Sequence, residues 1–260
     1  METGKDVYNG GCAPHVILQM PIAGAANVGD SLAAVKKVVF DEKKITMEQL
    51  IDALDANFEG YEDIQHLLER APKFGNDDDY VDLLLKDVLC YSCDYVKDHQ
   101  SFGGAHFGTT ILTLTANVMF GRNVGALPDG RKAGQPLAEG GISPYQGRNV
   151  SGLTATLKSV AKLDQVKLTN GSILNVRVSS GSVSTEEKLH KLAMIVRTYC
   201  ESGGNLVQFN FTSNEVLRDA QQHPEKYRDL LVRVATYSAF FVELGSETQD
   251  DIIRRNEFSV

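Results

Sequence analysis

The chain has 260 residues, 42% hydrophobic and 23% charged, as expected of a soluble globular protein with one large domain or two small ones. A formal net charge of −8 argues against nucleic acid or anionic membrane as a partner, because both need clustered Lys and Arg. No 18-residue apolar run occurs and Met1 to Asp6 is not a signal peptide, so the expected location is the cytoplasm, with no membrane partner.

The N-terminal hundred residues read as mostly helical. Asp30 or Ser31 is positioned to cap a helix through Phe40, with Leu32, Val35, Val38 and Val39 on its apolar side. Thr46-Met47-Glu48-Gln49 is a capping-box pattern ahead of Leu50, Ile51, Leu54 and Phe58. Helical periodicity continues over 61–70 and from Asn76 to about Asp98.

The pattern changes at Ser101. Gly103-Gly104 and a β-branched run from Thr109 to Val118 predict an extended segment. Gly121 to Asn149, with Pro128, Pro136, Pro144 and many glycines, predicts neither helix nor strand, and an irregular stretch this long implies a functional or packing reason. Alternation returns at Ser151. A helix to about Leu163 leads to a strand over 172–179, then a long helix from about Thr185 with Leu189, Leu192, Ala193, Val196 and Tyr199 on one side. The strand 205–211 places Val207, Phe209 and Phe211 on one face, and Gln208 and Asn210 on the other. A short helix from about Asn214 to Gln222 stops at His223-Pro224. Residues 227–234 lead into a loop, and a last amphipathic helix spans about 242–255. Helices alternating with strands make the fold class α/β.

Most chemistry-bearing residues have an ordinary explanation. Cys90 and Cys93 form a lone C-x-x-C in mid-helix, without a second Cys or His pair at zinc spacing, and read as packing residues. The six histidines are scattered without an H-x-x-x-H pair, so no metal site is expected. Asp77-Asp78-Asp79 suits a helix start, where acids complement the dipole. Gly125 to Gly134, with Arg131 and Lys132, lacks P-loop spacing and reads as a structural loop rather than an anion cradle.

Arg233-Val234-Ala235-Thr236-Tyr237-Ser238-Ala239-Phe240-Phe241 carries the most specific signal. It resembles the radical loop of the pyruvate formate-lyase-like glycyl radical enzymes, whose usual text is close to R-V-A-G-Y-S-A-F-F. Thr236 stands at the radical-glycine position. The resemblance extends in the family's order through Asp30-Ser31-Leu32, Phe74-Gly75-Asn76-Asp77, Pro128-Asp129-Gly130-Arg131, Ser202-Gly203-Gly204 and Val207-Gln208-Phe209-Asn210. Its flavour is that of the glycerol and diol dehydratase branch.

The resemblance implies the C-terminal part of the family's ten-stranded α/β barrel: a second half-barrel with surrounding helices. It divides the chain into a mainly helical 1–100 and a strand–helix 101–260 that includes the glycyl radical domain and its loop at 233–241. It implies no bound cofactor, but a glycyl radical installed by an S-adenosylmethionine-dependent iron–sulfur activating enzyme, which would be a partner. It also implies a thiyl-forming cysteine upstream of the block beginning at Gly24. Cys12, in Gly10-Gly11-Cys12-Ala13-Pro14, superficially matches that context but reads better as part of the family's Gly-Gly-Ala segment.

Expected site residues are therefore Thr236 at the radical position, Arg233, Val234, Ala235, Tyr237, Ser238 and Ala239 around it, and Asn175, Gln208 and Asn210 along a channel. A threonine crowds the Cα, and at positive φ it adds strain of about 1–3 kcal/mol. The expected function is a C-terminal fragment or subunit of a radical lyase or dehydratase, inactive alone, with the N-terminal half or a second copy as partner. The alternatives are a non-catalytic binding or repair-type subunit, and the active half of a split radical lyase.

Overall fold

The computed structural model describes residue 4 and residues 17–100, 106–111 and 115–259. Cys12 and Gly103-Gly104 lie outside the described residues. Strand β1 (Ile17–Pro21), absent from the sequence reading, opens the described fold and leads through Gly24 at φ 73° into α1 (Ala25–Val35). Its small buried residues, Ala25, Ala26, Gly29 and Ala33, let α1 lie close to the long helix Asp79–Lys97; a Cβ on Gly29 would stand 2.9 Å from that of Leu85. α1 continues as a π-helical turn over Lys36–Asp41. Asp30 and Ser31 are therefore inside the helix rather than at its cap, because the chain turns into the helix six residues before Asp30, at Gly24.

The capping box is present at α2 (Met47–Asp55), where the Gln49 amide donates to Thr46 Oγ1 at 3.2 Å and the Thr46 amide to Gln49 Oε1 at 2.9 Å. α3 (Glu62–Glu69) follows, then α4 (Asp79–Lys97), capped by Asp78 accepting from the Tyr80 amide at 2.9 Å. Asp77, Asp79 and Asp82 converge on the Lys162 ammonium at 2.7–2.8 Å, which satisfies the acid run within the fold. Cys93 is buried in α4 with its Sγ 2.9 Å from Thr109 Oγ1.

β2 (His106–Thr110) pairs in parallel with β1, and Ile111 bridges in parallel to Ser172. The extended reading fails from residue 115, since Ala116–Arg122 is helix α5. Its Asn117 is drawn inward to the Leu137 carbonyl and the Asp251 carboxylate, so tertiary contacts override β-branched propensity there. After Arg122 the irregular stretch to Asn149 holds neither helix nor strand. Arg131 organises it. Only 1% exposed, its guanidinium donates to the carbonyls of Gly121, Val124, Gly125, Gln135 and Pro136. With all its donors turned inward on backbone, Arg131 leaves this loop no anion-binding guanidinium.

α6 (Leu153–Ala161) precedes β3 (Leu174–Val178), and α7 (Glu186–Glu201) is capped by Thr185. Of the five apolar residues expected on one side of α7, Leu192 and Tyr199 are buried, but Leu189 is 54% exposed and Ala193 is exposed as well. The helix rests on α6 along one edge, so only part of its stripe is covered. β4 (Val207–Asn210) runs parallel to β3, and α8 (Asn214–Gln222) is capped by Ser213. β5 (Leu231–Arg233) and β6 (Ser238–Phe240) form an antiparallel hairpin. α9 (Ser246–Arg254) begins four residues later than the periodicity predicts, after a 3₁₀ turn over Phe241–Glu243, and β7 (Glu257–Phe258) then joins the other side of β3 in parallel. Among the described residues no helix is long and apolar enough to cross a membrane.

A buried polar knot fixes the irregular stretch against α1. Arg148 pairs with Asp30 at 3.2 Å and Asp129 at 2.8 Å, while Asp30 also accepts from the Phe74 amide at 2.7 Å. Burial pushes the Asp30 carboxyl up to about 6, against the opposing pull of Arg148 and Lys73. The unfolded chain releases this proton near the ordinary aspartate value of about 4. The native state thus holds the proton longer, and the group's contribution to stability is full below pH 4 and lost as pH rises through 6. Asp30→Asn should remove that loss. In urea unfolding, the variant should gain on the parent by about 2 kcal/mol between pH 4 and pH 6.5; an equal difference at both pH values would show that Asp30 is ionised throughout.

Candidate functional site: a clamped hairpin

The β5–β6 hairpin has its own small core. Val232, Val234 and Phe241 pack with Leu217 and Ala220 of α8 and Ile252 of α9, all essentially buried. β-Branched and aromatic residues at alternate positions direct one face inward, and the residues between them point away. The tip is short. The Val234 amide donates to the Tyr237 carbonyl at 3.0 Å, closing a turn in which Val234 and Ala235 are buried, Thr236 is half-buried and Tyr237 is 38% exposed.

Three side chains from outside the hairpin hold it, two from β4 and one from beyond α9. From β4, Gln208 Oε1 accepts from Arg233 Nε at 2.9 Å and Asn210 Nδ2 donates to the Arg233 carbonyl at 3.3 Å. Arg233 Nη1 also reaches Ser238 Oγ across the hairpin at 3.3 Å. Past the end of α9, Arg255 Nη1 donates to the Val234 carbonyl at 2.7 Å.

Asn175, Gln208, Asn210 and Arg233 line one narrow crevice together with Arg177 and Arg255. The structure thus brings the three expected channel residues together beside the hairpin. Each is engaged within the protein: Asn175 Nδ2 donates to Glu139 Oε1 at 2.7 Å, and Asn210 Oδ1 accepts from Thr212 Oγ1 at 3.2 Å. Asn175 Oδ1 is buried and has no hydrogen-bond partner among the described residues.

Two residues of this neighbourhood carry no local sequence signal. Glu139 sits in the irregular stretch, and Arg255 follows the last helix. They meet as an ion pair at 2.9 Å, with side chains 2% and 14% exposed, and Asp251 adds a second carboxylate 2.9 Å from Arg255 Nη2. Burial raises the Glu139 carboxyl while Arg255 opposes the rise; burial disfavours the Arg255 charge, and Glu139 and Asp251 hold it up. Arg177 of β3, lowered to about 10 by burial, donates to the carbonyls of Ile252, Ile253 and Arg255 and so ties off the end of α9.

The backbone at the tip differs from one expectation. Among the described residues, positive φ outside glycine occurs at Lys43, Asn57, Phe58 and Asp77, and not at Thr236. No left-handed strain therefore arises at position 236. What the threonine brings is its substituent alone: a branched Cβ on an α-carbon where the matching family text has only hydrogen.

Parallel strands flanked by helices, with an antiparallel hairpin clamped beside the strand ends, define an α/β protein with its site on a loop scaffold. Residues 1–121 match the model described as pyruvate formate lyase-like, and residues 138–242 match the one described as glycine radical. The chain belongs to the pyruvate formate-lyase-like glycyl radical enzyme family. It is 41% identical over 258 residues to the trans-4-hydroxy-L-proline dehydratase of Clostridioides difficile, covering 99% of this chain and 32% of the relative. It is 42% identical to the isethionate sulfite-lyase of Nitratidesulfovibrio vulgaris, covering 91% of this chain and 29% of that protein. The glycerol-bound B12-independent glycerol dehydratase of Clostridium butyricum superposes over 100% of this chain and 33% of its own, with a TM-score of 0.94 and 42% identity. The fold is thus that of the C-terminal part of such enzymes. The chain spans about a third of the length of the relatives it matches.

Proposed function

We propose that this chain is the C-terminal portion of a glycyl radical dehydratase or lyase in which the radical hairpin persists as a scaffold while its radical position is silenced. In this reading 1–100 supplies mainly helical packing, and 101–260 supplies barrel strands and the hairpin. Arg233, Val234, Ala235, Tyr237, Ser238 and Ala239 shape the loop, and Asn175, Gln208 and Asn210 border a channel. The observation that carries it is Thr236 at the hairpin tip, where the family text has glycine.

A radical on a backbone α-carbon is stabilised by delocalisation into the flanking amide nitrogen and carbonyl, which requires a planar centre. Glycine allows planarity without a side-chain clash and leaves its Cα open to an approaching thiol or activating cofactor. Threonine sets a branched carbon against both peptide groups and covers the approach. The buried Val234-Ala235 pair and the external clamps restrict the tip's freedom to rearrange around that branch. The residues present therefore do not fit the radical, and the chain alone carries no turnover. Its partners are the remainder of the barrel and the iron–sulfur activating enzyme that the family uses; elimination of a small leaving group, as the relatives' names imply, belongs to the complete assembly.

The test is spectroscopic. Incubated anaerobically with a radical S-adenosylmethionine activating enzyme that charges the hydroxyproline dehydratase relative, the parent chain should give no organic-radical EPR doublet. A doublet would overturn the reading.

One observation favours a binding role beside this one. Leu189 and Met194 on α7 and Tyr91 and Tyr95 on α4 are 44–71% exposed, which are faces suited to further protein. Light scattering should show the 260-residue chain self-associating, and a clean monomer would count against that role.

A further inference from the structure

We propose that Arg255 is a positioning residue for the hairpin tip, fixing the Val234 carbonyl through a guanidinium that Glu139 and Asp251 hold in place. The inference stands whether or not position 236 can hold a radical.

The geometry is a fork with separate tasks for its two ends. Nη1 donates to the Val234 carbonyl at 2.7 Å and stands 2.9 Å from Glu139 Oε2 as an ion pair outside hydrogen-bond geometry, and Nη2 donates to Asp251 Oδ2 at 2.9 Å. Val234 is fully buried, so without Arg255 its carbonyl would face neither water nor another described donor. The amide of the same residue is committed to Tyr237, and the preceding carbonyl, that of Arg233, is taken by Asn210. Both carbonyls entering the turn are thus held by side chains from outside the hairpin, three and two residues before Thr236. A fork of donors in one plane can serve a backbone oxygen and a carboxylate at once while its charge faces a second carboxylate; a lysine ammonium on a single flexible stem cannot match that arrangement.

Glu139 is set with equal care. Asn175 Nδ2 and Ser143 Oγ donate to its Oε1 at 2.7 and 2.8 Å. Gly141, two residues on, passes so close to the residue before β3 that a Cβ there would lie 2.1 Å from the Ile173 carbonyl, and the Ile142 amide donates to that same carbonyl at 2.8 Å. This gives the long irregular stretch a purpose: it carries one carboxylate, without a helix or strand of its own, to the underside of the hairpin. The chain of contacts runs from Asn175 on the barrel strand through Glu139 and Arg255 to the loop backbone, so the strand and the loop are held in register.

The test is hydrogen–deuterium exchange by mass spectrometry on the 260-residue chain, comparing hairpin peptides over 231–241 with α4 peptides over 79–97. Arg255→Met should raise hairpin exchange about tenfold or more, the effect of losing a charge-assisted bond, and leave α4 unchanged. Glu139→Gln keeps an acceptor for Asn175 but removes the charge, and should raise hairpin exchange in the same direction. The double variant should exchange no faster than Arg255→Met, because Glu139 acts through Arg255. Arg255→Lys should recover less than half of the lost protection. The proposal fails if hairpin exchange is unchanged in Glu139→Gln, if it rises equally in α4, if the two single effects simply add, or if lysine restores protection fully. Should Arg255→Met not fold, Glu139→Gln and Arg255→Lys decide the matter by the same hairpin-to-α4 comparison.

Discussion

Thr236→Gly should turn an EPR-silent chain into one that shows a glycyl doublet after anaerobic treatment with S-adenosylmethionine and an activating enzyme. The change removes a hydroxyethyl branch and restores the hydrogen that distinguishes glycine's α-carbon. Because position 236 does not occupy positive φ, the hairpin needs no backbone rearrangement to accept either residue. The folded structure should therefore be indifferent to the change. A Gly in place of Thr frees the unfolded chain, so some loss of stability, about 1 kcal/mol or less, is expected beside the spectroscopic gain. The comparison isolates the α-carbon, since Arg233, Asn210 and Arg255 hold the surrounding backbone in both forms. Thr236→Ala is the informative control. It removes the branch but keeps a Cβ, and should remain silent if any Cβ crowds a planar centre. A silent Thr236→Gly chain, beside a relative charged in the same tube, would show that the block lies elsewhere.

Arg131→Met is expected to be among the most damaging single changes in the described fold. The residue is 1% exposed and its guanidinium spreads its donors over five backbone carbonyls, that of Gly121 at the end of α5 and four in the irregular stretch. The Gly121 and Val124 carbonyls also accept from the Val124 and Gly134 amides, whereas those of Gly125, Gln135 and Pro136 rely on the side chain for satisfaction. Methionine fills a similar length but leaves the oxygens facing apolar carbon. Each abandoned buried acceptor costs about 1–3 kcal/mol when it cannot reach water, and partial relaxation brings the sum to roughly 3–5 kcal/mol. Urea denaturation should show a lowered midpoint of that order with the slope unchanged. Arg131→Lys keeps the charge but can serve only some of the five oxygens, and should fall between parent and Met variant. A midpoint within about 0.5 kcal/mol of the parent would mean that water takes over the carbonyls, and that this stretch is open rather than sealed.

The two predictions probe different kinds of legibility. The loop at 233–241 could be read from the text because its motif is contiguous, whereas its pairing into an antiparallel hairpin emerged only from the structure. Val232, Val234 and Phe241 alternate inward, Thr46 and Gln49 meet within one turn, and Ser213 and Thr185 sit directly before the helices they cap. Periodicity and capping are contacts between near neighbours, so residue order alone encodes them. Threonine in place of the motif's glycine at 236 was legible for the same reason: it is one residue inside a contiguous motif.

The tertiary structure decided the rest. Asp30 carries a capper's side chain, yet Gly24 starts the helix earlier and turns that carboxylate inward to Arg148. The run from Thr109 to Val118 has strand propensity, yet Asn117 is pulled into helix α5 by groups far along the chain. Leu189 and Ala193 lie on the apolar stripe of α7 but stay exposed, because a stripe is buried only where another element covers it. Glu139 and Arg255 gave no warning at all. The value of a charge depends on the dielectric around it and on what it faces, and chain folding supplies both only when distant segments meet. Residue order therefore set the elements and the identity of position 236, while packing chose which charges were buried and made Arg255 the holder of the loop.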